Sequence, residues 1–110
     1  MDGQSENENW LRDIAGAVFD KRILQGKEAV SSAEALVYWV FVGDDSMRNV
    51  GDLSMAFEVY PDFQTQTASL ATMLSLERTS ELFQMSRSRF EQVYLKWFDE
   101  ICAELHSVEW

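Results

Sequence analysis

Cys102 and His106 stand one helical turn apart, the spacing at which two side chains of a helix can share a metal ion. A metal centre needs more donors than two, and the chain has one cysteine and one histidine. Nucleophilic catalysis by such a pair would need a third group to orient the imidazole and donors for an oxyanion, and nothing in the sequence marks either. Cys102 also falls on an apolar stripe, where a cysteine behaves as a small hydrophobe. The acidic run from Gly43 to Asp52, GDDSMRNVGD, invites comparison with a calcium loop. With Asp44 or Asp45 as the first ligand, the loop has no glycine at its sixth position and no glutamate at its twelfth, so the pattern fails. There is no Gly-rich phosphate loop and no G-x-S-x-G elbow. The expectation is a protein that is not an enzyme and that uses no cofactor and no metal.

A second constellation points to nucleic acid. Residues Thr79 to Val93, TSELFQMSRSRFEQV, follow the pattern of a helix-turn-helix. Ser80 supplies the small residue where two helices touch, Leu82, Phe83, Met85, Phe90 and Val93 fill the inner faces, and Ser86 can cap the second helix. Arg87, Ser88, Glu91 and Gln92 would then face DNA, with Arg89 beside them. Gln84 departs from the pattern, which wants a glycine able to take positive φ at that turn. The charge is also wrong. The chain carries 19 acids against 9 bases, a net charge of −10, whereas a DNA binder gathers cations to displace counterions. Even between Leu76 and Phe98 four bases meet three acids. An αα-hairpin with an Arg87–Glu91 pair at i, i+4 accounts for the same residues. Nucleic acid is therefore not the expected partner.

The elements that must position these residues are helical. Apolar residues make up 46% of the 110 and aromatics 13%, enough for one core, while 1 proline and 5 glycines are too few to punctuate an all-β chain. Residues 1–8 read as a flexible acidic N-terminus and 9–110 as a single helical domain. Ser5 and Glu8 match a capping box for a helix from about Asn9 to Leu24 that stops at Gly26. Trp10, Leu11, Ile14 and Val18 share its inner face, and Asp13 and Asp20 point away. Ser31 and Glu34 form a second capping box, opening a helix from Ser32 to Val42 that ends at Gly43, with GDDSMRNVGD as a loop. The apolar run VYWVFV within it would also suit a buried strand; the cap and the glycine favour helix, and it should be the central element. Asp52 then caps a helix carrying Leu53, Ala56, Phe57 and Tyr60, closed by Pro61. Thr67 caps a further segment with Leu70, Ala71 and Leu74 on one face, which continues or breaks near Ser75. From Ser86 onward Phe90, Val93, Tyr94, Trp97, Phe98, Ile101, Cys102 and Leu105 form an unbroken stripe. The fold class is an all-α, compact bundle of four to six helices with a long amphipathic C-terminal helix.

Asp99, Glu100, Glu104 and Glu109 crowd the end of that helix, where the macrodipole disfavours acids. With Asp13 they suggest a patch that steers a basic partner. Trp10 and Trp110, near the two ends of the chain, are the ring types that anchor interfaces. A homodimer through the last helix or through ALVYWVFV is expected. The polar start and the absence of any long apolar stretch predict no membrane span, and the lone cysteine fits a cytoplasmic protein.

MDGQSENENWLRDIAGAVFDKRILQGKEAV, followed by EALVYWVFVGDDSMRN, resembles the small QslA-like quorum-sensing anti-activators of Pseudomonas over nearly the whole chain. The resemblance implies a helical protein that binds the ligand-binding domain of a LuxR-type regulator such as LasR, blocking its dimerisation and its DNA binding. No binding residue is carried over by motif. The expected function is thus protein-binding negative regulation of transcription. The alternatives are a helix-turn-helix DNA binder that uses Arg87, Ser88, Arg89 and Gln92, and an acidic DNA-mimic or immunity-type inhibitor.

Overall fold

The computed structural model describes residues 3–108 as six α-helices, with no strand among the described residues. In chain order they are α1 (Gly3–Gln25), α2 (Ser32–Val50), α3 (Ser54–Val59), α4 (Phe63–Met73), α5 (Glu77–Phe83) and α6 (Arg87–His106), with one 3-10 turn, Lys27–Ala29, between α1 and α2. None of them is long and apolar enough to cross a membrane. α2 packs against α1, α3 and α4, while α6 lies against α1 and α5.

α1 starts at Gly3, so Ser5 lies inside the helix and does not cap it. Residues 3–8, expected to be a flexible tail, are part of this helix: Asn7 donates to Asp99 at 2.8 Å and Glu8 pairs with Arg48 at 3.4 Å. The helix ends where predicted, with Gly26 at φ 90° donating its N–H to the Arg22 carbonyl. At the start of α2, Ser31 and Glu34 exchange side-chain and backbone hydrogen bonds at 3.0 and 3.1 Å, the reciprocal box that the sequence encodes. Lys21 of α1 holds the same Glu34 carboxylate at 3.0 Å. The Ser31 N–H first, and Lys21 after it, keep Glu34 below its ordinary pKa.

The stop expected at Gly43 is overturned. α2 runs on to Val50 and closes at Gly51, which takes the left-handed conformation with φ 81°. Gly43 sits inside the helix for a packing reason, since a Cβ there would lie 2.8 Å from the Phe63 ring. The run GDDSMRNVGD is therefore largely the last two turns of a helix and not a loop. Gly43→Ala should lose about 1 kcal/mol or more, because overpacking costs ~1–3 kcal/mol against a helix-propensity gain of ~0.5–1. Gly16→Ala, with nothing within 4 Å of the added methyl, should instead gain ~0.5–1 kcal/mol. Urea denaturation of the two variants checks the opposite signs.

Thr67 does not cap α4, which begins at Phe63. Thr67 is buried mid-helix and its hydroxyl donates to the Phe63 carbonyl one turn back at 2.7 Å, a bond that satisfies it without exposing it. The helix breaks at Ser75, in the left-handed region with φ 60°. Ser86 caps α6 by accepting the Arg89 N–H at 3.2 Å. The predicted stripe of α6 is buried from Phe90 to Leu105, with Trp97 half-buried. Through the core runs a file of rings, Phe57, Phe63, Phe83, Phe90, Tyr94 and Phe98, with successive centroids 4.9 to 5.9 Å apart.

Candidate interaction surface

α3 and α5 are short, and neither has a side-chain cap from its own N-cap residue. The orphan N–H groups of both are met in part by acids of α6. Glu104 accepts from the N–H groups of Arg78 and Thr79 at 2.8 and 2.7 Å and from the Thr79 hydroxyl at 2.7 Å. Glu91 accepts from the Leu53 N–H at 2.8 Å, next to Asp52, which takes the Ser54 N–H at 2.9 Å. At the other end of α5, the Gln64 amide donates to the carbonyls of Phe83 and Met85. The positive end of α5 thus accounts for an acid at the last turns of α6, where the dipole of α6 alone would oppose it. Glu104→Ala should cost about 2 kcal/mol, by loss of charged capping bonds worth ~0.5–2 kcal/mol each, and Glu104→Gln should recover part of it. Thermal unfolding of both variants tests this, and a loss near zero for Glu104→Ala refutes the capping role.

Two of the other acids read as a partner-steering patch, Glu100 and Asp99, are also engaged within the fold. Glu100 pairs with Arg78 at 2.7 Å, and the same guanidinium lies 4.5 Å over the Trp97 ring. Asp99 accepts from Asn7 at 2.8 Å. Trp10 is half-buried against the core and stacked on His106 at 3.7 Å. Together these contacts dock α1 and α5 onto the C-terminal half of α6. Asp13 is exposed, and Glu109 and Trp110 lie outside the described residues.

The helix-turn-helix positions are partly committed as well. Arg87 pairs with Glu91 at 3.0 Å and lies 5.4 Å over the Phe57 ring, which ties the start of α6 to α3. Ser88, Arg89 and Gln92 are exposed. Gln84 is in the right-handed region, with φ −90° and ψ −6°, so the α5–α6 turn makes no use of the positive φ that a glycine would supply.

Cys102 is fully buried, whereas His106 is exposed and stacked on the Trp10 ring. Burial, and after it the Asp44 charge, raise the Cys102 thiol to about 12, so it is protonated and closed to solvent at neutral pH. Asp44 is the polar centre that the sequence reading missed. It is 3% exposed and accepts from the Tyr94 hydroxyl at 2.6 Å and from Arg48 Nε at 2.9 Å. Arg48 in turn lies 4.6 Å over Phe98, while its Nη2 finds no acceptor among the described residues.

An apolar surface is also available to a partner. Phe19, Ile23 and Leu24, in the last two turns of α1, are 44%, 67% and 81% exposed. Beside them a groove of about 340 Å³ runs between α1, the start of α2, Tyr60 and Leu70. Its aromatic wall is a cluster distinct from the core file. Phe19 stacks on Tyr38 at 6.1 Å, Trp39 meets Tyr60 edge-on at 4.9 Å, and the hydroxyls of Tyr38 and Tyr60 share a hydrogen bond of 2.8 Å. The signal was present in the sequence, since Phe19 and Ile23 are one turn apart and off the Trp10–Val18 stripe. No family model matches the chain, and no curated protein and no solved structure matches it.

Proposed function

We propose that this chain is a non-enzymatic, cytoplasmic negative regulator that binds a transcription factor, a LuxR-type quorum-sensing regulator such as LasR, and blocks its dimerisation and DNA binding. The observation that carries the reading is the exposed set Phe19, Ile23 and Leu24 beside an aromatic groove. Isolated exposed apolar residues are ordinary, but three in two turns flanking a concave aromatic wall have the composition of an interface centre with anchor pockets. The net charge of −10 argues against the chain itself occupying DNA. The commitment of Arg87 and Glu91 to α3 argues the same way. A homodimer, expected of so small a bundle, belongs to the same proposal.

The test is a titration of the chain into a complex of a LuxR-type regulator with its operator. Release of the DNA, with a complex of the two proteins on gel filtration, is the expected result. The competing outcome is sequence-selective binding of the chain alone to DNA at low salt, lost in the variant with both Arg87→Ala and Arg89→Ala. That result would replace the proposal.

A further inference from the structure

The groove beside α1 has a polarity of its own. Its walls are apolar, with Val18, Phe19, Trp39 and Leu70 among the lining residues, and Arg22 and Lys27 line it as well. Of the 9 bases, Lys21, Arg48, Arg78 and Arg87 form ion pairs among the described residues, and two of the other five line this groove. Lys21, the neighbouring base, is paired with Glu34, whereas Arg22 and Lys27 make no ion pair among the described residues. The nearby acids Asp20 and Glu28 are not among the lining residues. Ser31 and Ser32 complete the same wall at the start of α2, whose N-terminus is already capped by Ser31 and Glu34.

The tyrosines supply a further polar element. Two phenols that share one hydrogen bond use one O–H between them and leave the other without an acceptor among the described residues. That proton is available to an oxygen placed in the groove. Burial, and then the bond to Tyr60, raise Tyr38 to about 12, so its phenol keeps its proton at neutral pH. The Arg22 charge acts on the same hydroxyl in the opposite sense, which sets the guanidinium within electrostatic reach of the Tyr pair.

We infer that the groove between α1, α2 and Tyr60 is a binding site for a small amphiphilic monocarboxylate, its apolar body against Phe19, Trp39 and Leu70 and its carboxylate held by Arg22 and Lys27. Charge complementarity selects the anion: on a chain of net charge −10, two cations that make no ion pair among the described residues line the same groove. Size selects a small occupant, because about 340 Å³ lies at the lower end of the ~300–1,000 Å³ of ligand pockets. An aliphatic acid and an aromatic acid share this chemistry. The inference concerns the free chain and does not rest on the regulator reading.

The experiment is a titration of the whole protein with decanoate, with indole-3-propionate and with the uncharged decanol, followed by calorimetry and by amide chemical shifts. Saturable binding of at least one acid is expected, with shifts centred on Phe19, Tyr38, Trp39 and Tyr60, and the tighter of the two acids names the class. Decanoate should bind about tenfold more tightly than decanol, the sum of two partly exposed charge contacts. In the variant with Arg22→Ala and Lys27→Ala, both at exposed positions, that preference should fall to about one. The inference is overturned if neither acid saturates up to millimolar concentration, if decanol binds as well as decanoate to the unaltered chain, or if the preference survives in the variant.

Discussion

Asp44→Ala is expected to lower the free energy of unfolding by about 3–5 kcal/mol, the range for removing one partner of a buried charged pair. The substitution strands two groups at once. The Tyr94 hydroxyl, in a fully buried side chain, loses its acceptor, and Arg48 keeps the 3.4 Å contact to Glu8 and its place over the Phe98 ring but no close carboxylate partner. Because total stability of a domain this size is on the order of 5–15 kcal/mol, the variant stands close to unfolding at room temperature. Asp44→Asn and Tyr94→Phe are milder probes of the same network. Their double variant should lose less than the sum of the two, as expected for residues in direct contact.

The network also fixes a sign for pH. Burial raises the Asp44 carboxyl above the usual carboxylate range, and the bonds from Tyr94 and Arg48 offset only part of that. A carboxyl raised on folding contributes stability that is fully present below its unfolded pKa and is lost as pH rises through its folded pKa. The unaltered chain should therefore gain stability relative to Asp44→Asn as pH falls from neutral toward the ordinary carboxylate range. Glu34, lowered on folding, acts in the opposite direction, but it is common to both chains and cancels in the difference. Urea midpoints of the two proteins across that pH range measure it, and a constant difference would refute the assignment.

The largest effect on binding is expected from Ile23→Arg combined with Leu24→Arg. Burying each side chain in an interface is worth about 1.5–3 kcal/mol, so losing both should weaken binding of the regulator on the order of a hundredfold. Arginine is a good helix former and suits the last turn of a helix, so the fold should be retained. Circular dichroism checks the fold and calorimetry checks the affinity. An unchanged affinity in a folded variant would move the interface away from α1.

Much of the architecture is written locally. Ser31 with Glu34, Ser86, Gly26 and the α6 stripe each place a boundary or a face by chemistry within a few residues. What was not legible depends on distant neighbours. Gly43 looks like a stop until Phe63 is seen filling the space above it. Glu91 and Glu104 look like surface acids until the N-termini of α3 and α5 arrive beside them. Asp44 reads as part of a polar loop because its partner Tyr94 lies 50 residues away. The candidate surface was only half visible, since the Phe19–Ile23 pair is a sequence pattern but the wall of Tyr38, Trp39 and Tyr60 is a product of folding.

The file of rings from Phe57 to Phe98 bears on how the molecule comes apart. α3 and α5, with 6 and 7 residues, fall below the length at which a helix persists alone in water. Each owes its order to an aromatic residue in that file, and to capping atoms that reside on α6 and α4. Neither helix can melt without opening the core, and α6 cannot leave without uncapping both. The chain is therefore expected to open largely as one cooperative unit, except toward the start of α1, which stands off the file.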